Sequence, residues 1–124
     1  MTEKNEPKLI QDVVRWEVHP GFTRRDLSAG DDQDYKIGRV VDDDANGVLT
    51  AGDGEDAWGV ALGDVDTTGT ETSQEVMILH HGPAVVIEEQ LDFGDLTSGE
   101  KATAIEKLEE RLIWVRQAGD FREL

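Results

Sequence analysis

The sharpest chemical spacing in this sequence lies in residues 42–53, DDDANGVLTAGD. Asp42, Asp44 and Asn46 occupy the first three oxygen positions of a calcium-loop pattern, Gly47 its tight-turn position and Asp53 its last. A hard cation asks for oxygen donors at alternate positions and a residue that lets the chain turn sharply. The flanks disagree with an EF-hand. Residues 35–41 read as a strand, residues 54–59 carry no helical period, and Asp53 has a shorter arm than the usual glutamate. The competing reading is an acidic β-hairpin turn, because Asn46-Gly47 is a favoured tight-hairpin pair. A calcium-dependent β-rich binding module built on Asp42, Asp44, Asn46 and Asp53 therefore stands as one candidate function.

Other chemistry is sparse. His80 and His81 are adjacent, and neighbours on a strand point to opposite faces, so they read as a solvated strand end rather than a chelate. His19 is remote in sequence, and Glu88-Glu89 meet the same geometric objection. Ser28, Ser73 and Ser98 fall in loops or caps, with no nucleophile elbow, phosphate loop or zincin motif nearby. No catalytic residue, metal or cofactor is expected; a small β-barrel enzyme or lyase-like domain is the third candidate.

Three tryptophans are the large anchors. Trp58 and Trp114 lie in apolar strand segments and read as core. Trp16 lies in an isolated amino-terminal segment, where it reads as an interface anchor. Val14, Trp16 and Val18 alternate with Arg15 and Glu17 at the strand period, so residues 13–18 could add to the sheet edge of another chain.

The elements that position these residues are mostly short strands. Extended segments are expected at 9–18, 35–41, 48–50, 57–62, 75–81, 84–87 and 112–115, split by Gly- and Asp-rich turns. Residues 1–8 read as a flexible start and 22–35 as a polar connection. Gly38 marks a bulge or a close backbone approach. Thr97 and Glu100 form a capping box, and Ala104, Ile105 and Leu108 define the apolar face of a helix over about 98–110. A helix running on to Ala118 competes with the final strand. Short strands at roughly ten-residue spacing indicate a small, mainly β sandwich or barrel.

The chain has 124 residues, 28 acids against 12 bases, a net charge of −16 and no cysteine. That balance excludes a nucleic-acid coat and disfavours docking on anionic lipid. It also rules out disulfides and thiol catalysis. No apolar run approaches a membrane span, and the amino terminus lacks an apolar signal core, so a soluble protein without an export signal is expected. Such a charge repels itself in the compact state, and molar salt screens it to about 3 Å. A halophilic source is the expectation.

The order of segments resembles the head decoration proteins of lambda-like tailed viruses. The residues that carry the resemblance are 22–30, 36–41, 48–50, 56–62, 64–68, 76–82 and 91–104, with Leu108 and Ile113. The similarity spans about residues 22–117 and contains no catalytic motif. Where relatives often carry a glycine before the last strand, this chain has Arg111-Leu112. The resemblance implies a small bent-ribbon or partial-barrel domain, β-clip or β-tulip-like, with one carboxy-terminal helix and an extended amino-terminal arm. It implies an arm over 1–21, a β-rich domain over 22–118 and a tail over 119–124. It further implies a homotrimer, made in the host cytoplasm, that sits on the outer surface of the virion at three-fold sites and grips the major capsid protein. Val14, Arg15, Trp16 and Val18 are then the capsid-binding residues of the arm. Neither nucleic acid nor membrane is an expected partner.

Overall fold

A computed structural model describes residues 9–29, 34–44, 47–50, 57–67, 74–94 and 96–121; side chains of 43–50 and 120–121 are not described. The chain is mainly β. Among the described residues ten strands form a three-stranded sheet, a five-stranded sheet and a two-stranded ribbon. Among the described residues they do not close into a barrel.

The amino-terminal half begins with one helical turn, α1 (Ile10–Val13), followed by β1 (Val14–Glu17). A second single turn, α2 (Pro20–Thr23), leads into β2 (Arg24–Ser28). Strands β3 (Asp34–Tyr35), β4 (Val40–Asp44), β5 (Gly47–Thr50), β6 (Ala57–Ala61) and β7 (Val65–Asp66) follow. Then come β8 (Glu75–Leu79), β9 (Ala84–Ile87), α3 (Ser98–Glu110) and β10 (Ile113–Arg116).

The five-stranded sheet, ordered β2-β8-β6-β4-β5, is covered on both faces. Val40, Val60 and Leu79 face one apolar cluster, while their neighbours Val41, Ala61 and Ile78 face the other. A sheet buried on both sides needs continuous apolar runs rather than alternation, and residues 57–62 and 76–79 supply them. Gly59 permits the approach of β6 to β8; a Cβ there would lie 2.7 Å from the Leu79 carbonyl oxygen.

The three-stranded sheet, ordered β1-β9-β10, is covered on one face only. Its Val14, Ala84, Val86, Ile113 and Val115 join Ala104 and Leu108 of α3 in the larger cluster. Strands β9 and β10 are parallel, and such a pair needs a crossover. Helix α3 is that crossover. Its start is fixed by the expected box: Thr97 Oγ1 accepts from the Glu100 amide at 3.2 Å, and Glu100 accepts from the Thr97 amide at 2.9 Å. Its end is abrupt. Leu112 takes φ 66°, the left-handed region, and the chain turns directly into β10. The helix therefore stops at Glu110 and does not continue to Ala118. No helix among the described residues is long and apolar enough to cross a membrane.

Several local expectations are corrected. Residues 9–21 are not a detached arm: Val13 is fully buried, Val14 is nearly so, and β1 is paired with β9. The sheet that β1 extends belongs to its own chain. Residues 24–28, expected as connection, form strand β2, because all five pair with β8 and cross-strand bonds override their polar character. The single strand expected over 35–41 is broken. Gly38 adopts φ 102°, and its amide and carbonyl bond Ala61 and Asp92 at 2.8 Å each, so a turn separates β3 from β4. Residues 1–8 lie outside the description.

Candidate functional site

The exposed face of the three-stranded sheet is the candidate site. Trp16 of β1 and Trp114 of β10 both stand opposite Val85 of β9, one on each side. Residues in register share a face, so the three side chains make one apolar row across the whole sheet. Trp16 is 50% exposed, while Val85 and Trp114 are half-buried.

A bulge determines which residues reach this face. The register of β1 shifts between Val14, opposite Val86, and Trp16, opposite Val85, so Arg15 is the extra residue. The extra residue reverses the parity of the strand. Val14 consequently faces the core, although simple alternation puts it beside Trp16. Of the four residues assigned to a capsid contact, Arg15, Trp16 and Val18 are at the surface and Val14 is not.

Further apolar side chains gather at one end of the row. The Val18 amide donates to the Pro83 carbonyl at 3.0 Å, and the Ala84 amide donates to the Leu112 carbonyl at 3.1 Å. Val18 and Leu112 thus flank the turn at 82–83 from opposite sides. The Phe22 ring meets the His81 ring edge-on at 4.7 Å. Val18, Phe22 and Leu112 are each about half exposed. Phe22 and Leu112 carry no sequence signal as surface anchors, since Phe22 opens a polar run and Leu112 an apolar, strand-like one.

The segment carrying Trp16 and Val18 is braced from below. Glu17 pairs with Arg24 through the Nη2 and Nε atoms, and the Thr23 hydroxyl donates to the same carboxylate. The Glu17 side chain is only 8% exposed. Burial pushes its carboxyl pKa up, but the hydrogen bonds from Arg24 and Thr23 and the charges of Arg24 and His19 outweigh that and hold it below the ordinary range. The His19 ring accepts from the Gly21 amide at 3.0 Å, and Pro20 opens α2, so the bend after β1 is fixed locally.

The histidines differ from their expected placement. The strand ends at Leu79, so His80 and His81 escape its alternation and their rings lie 5.2 Å apart. His80 packs edge-on against Trp58 at 4.4 Å, and the Arg111 guanidinium lies over the same indole at 5.3 Å. Both imidazoles are half-buried structural residues rather than a solvated strand end. Trp58 is also half-buried, packed against the smaller core cluster. Trp114 is not core either: Ile113 and Val115 occupy the core side of β10, and alternation turns Trp114 outward.

For the acidic loop, the backbone of β4 and β5 makes a hairpin in which Asp42 opposes Leu49 and Asp44 opposes Gly47. Asn46, Asp53 and the Asp44 side chain lie outside the described residues. Among the described residues no three His, Asp or Glu side chains form a group that could hold a metal ion. Ser28 closes β2 and Ser98 opens α3.

Comparison with known proteins gives no relative: no family model, no curated protein and no solved structure matches this chain.

Proposed function

We propose that this chain is a viral head decoration protein. It binds the outer surface of an expanded tailed-virus capsid as a homotrimer at three-fold and quasi-three-fold sites, and it holds the major capsid subunits together against the pressure of packaged DNA. The observation that carries this reading is the exposed row Trp16–Val85–Trp114 on a small, otherwise well-packed β domain. A solvent-facing tryptophan at the edge of a rigid sheet is suited to gripping a protein surface. The segment order that resembles the decoration family runs through the same domain. The mechanism is binding alone, with no chemical step.

Linkage supplies the physical action. A protein that binds the expanded lattice but not its precursor stabilises the expanded form by RT ln(1 + [L]/Kd), about 2.7 kcal/mol per site at a hundredfold excess over Kd. Joining three copies makes later contacts intramolecular and raises avidity without new contacts. A net charge of −16 suits an outer shell, because it keeps neighbouring particles apart.

Quantitative mass spectrometry of purified virions from the source tests this. A trimer at every three-fold site gives about one copy per major capsid subunit. Absence from mature particles ends the reading.

A further inference from the structure

Strand β1 has two ways of lying on β9. The observed one carries a bulge: Val14 stands opposite Val86, Trp16 opposite Val85 and Glu17 opposite Ala84, with Arg15 left over. Keeping the first pair and removing the bulge puts Arg15 opposite Val85, Trp16 opposite Ala84 and Glu17 opposite Pro83. Residues in register share a face. Ala84 and Val86 are fully buried, so this regular register turns Val14 and Trp16 toward the core and Arg15 and Glu17 toward solvent. Removing the bulge while keeping Trp16 opposite Val85 puts Arg15 opposite buried Val86, and a charge in the core is too costly.

Judged by apolar burial alone, the regular register is the better one. It obeys the alternation of residues 14–18 and covers an indole that is 50% exposed. The structure nevertheless leaves Trp16 outside and places a glutamate opposite Ala84. An interaction specific to Glu17 must offset the exposed indole.

That interaction comes from the other sheet. The Glu17 carboxylate accepts from Nε of Arg24 at 3.1 and 3.2 Å, from Nη2 of the same guanidinium, and from the Thr23 hydroxyl at 2.5 Å. Thr23 is fully buried, and its carbonyl accepts from the His80 amide at 2.8 Å, which ties it to the end of β8. The donors that hold Glu17 are therefore anchored on the five-stranded sheet and do not move with β1. A buried ion pair adds little net stability, but it discriminates between registers, because a one-residue slip carries Glu17 to the opposite face of β1.

We infer that Arg24, acting through Glu17, is a positioning residue that selects the bulged register of β1 and so keeps Trp16 on the outer face. This rests on the reading of that face as the docking surface and names what holds it in the binding form. The regular register hides Trp16 and does not bind.

The test uses the full chain labelled with fluorotryptophan. Fluorine NMR follows the indoles, a water-soluble paramagnetic agent reports their exposure, and Trp16→Phe assigns the Trp16 line. In the parent that line is expected to broaden strongly. In Arg24→Leu it is expected to lose most of the broadening, as the unpaired carboxylate leaves the interior and Trp16 turns inward. The charge swap Glu17→Arg with Arg24→Glu is expected to restore the exposed line. Deleting Arg15 removes the extra residue, so plain alternation then points Trp16 outward. In that background Arg24→Leu is expected to leave Trp16 exposed. Binding to expanded heads is expected to fall about tenfold in Arg24→Leu and to return when Arg15 is also deleted.

Thermal melting shows which variants fold. If Arg24→Leu does not, Glu17→Gln keeps the side-chain shape without the charge, and a second, protected Trp16 line is expected there. A single exposed Trp16 line in the folded variant overturns the inference. So does a protected line when Arg15 is also deleted. Loss of fold in both single variants overturns it too, since the pair is then a stability element and not a selector. The fluorine measurements need no capsid. A parent that binds no heads refutes decoration and leaves the register inference standing, whereas an unmoved Trp16 line refutes the inference alone.

Discussion

Trp16 and Trp114 lie 98 positions apart in sequence yet face the same residue, Val85, from opposite sides of one strand. This relationship exists because β10 returns parallel to β9 through α3 while β1 pairs antiparallel on the other side. Trp16 is half exposed and its neighbours in the row are half-buried, so replacing it removes surface rather than core. Trp16→Ala is expected to cost no more than about 1 kcal/mol in denaturant unfolding while abolishing partner binding. A loss of several kcal/mol would show that Trp16 is a core residue.

Leu112 offers a stabilising substitution. It holds φ 66° without being glycine, and the left-handed conformation costs an L-residue about 1–2 kcal/mol. Its side chain is 46% exposed, so little burial is lost on removing it. Leu112→Gly is expected to raise stability by about 0.5–1 kcal/mol, after allowing for the greater backbone entropy of glycine. Chemical denaturation measures it; a destabilised variant would mean that the Leu112 side chain contributes more packing than its exposure indicates.

Glu17 predicts a pH dependence with a definite sign. Its folded pKa is held below its unfolded value, after burial is outweighed by Arg24 and Thr23. Its contribution is therefore complete above the unfolded value, about 4.3, and is lost as pH falls through the folded value. The stability difference between the parent chain and Glu17→Gln is expected to be constant near neutrality and to shrink below about pH 4. A difference that grows on acidification would contradict the brace described for β1.

Charge predicts a salt response. With 28 acids against 12 bases, self-repulsion opposes the compact state until salt screens it. The melting temperature is expected to rise between about 0.15 M and about 1 M KCl, as the screening length falls from roughly 8 Å to 3 Å. A flat series would remove the proposal of a halophilic source.

The sequence was most informative where local rules act alone. Thr97 and Glu100 announced the start of α3, and the boundary at Glu110 followed from the β-branched and aromatic run after it. Apolar runs likewise marked β6, β8 and β9. The polar strand β2 was hidden because its stability comes from pairing with β8, not from its own composition. The proposed docking face was only half legible. Trp16 stood out as an isolated aromatic, but its row with Val85 and Trp114 depends on a long-range register. The inward turn of Val14 depends on a bulge that leaves no mark in the alternation of residues 14–18. Leu112 occupies the left-handed position where glycine is usual, so residue type alone does not mark the stop, and only the run after it argues against a helix to Ala118.

Cosedimentation of the purified protein with expanded and unexpanded heads of the tailed virus proposed to encode it tests the central claim most directly. The account predicts saturable binding to expanded heads, little binding to unexpanded ones, and loss of binding in Trp16→Ala. Equal binding to both forms, or full binding by the Trp16→Ala protein, would contradict it.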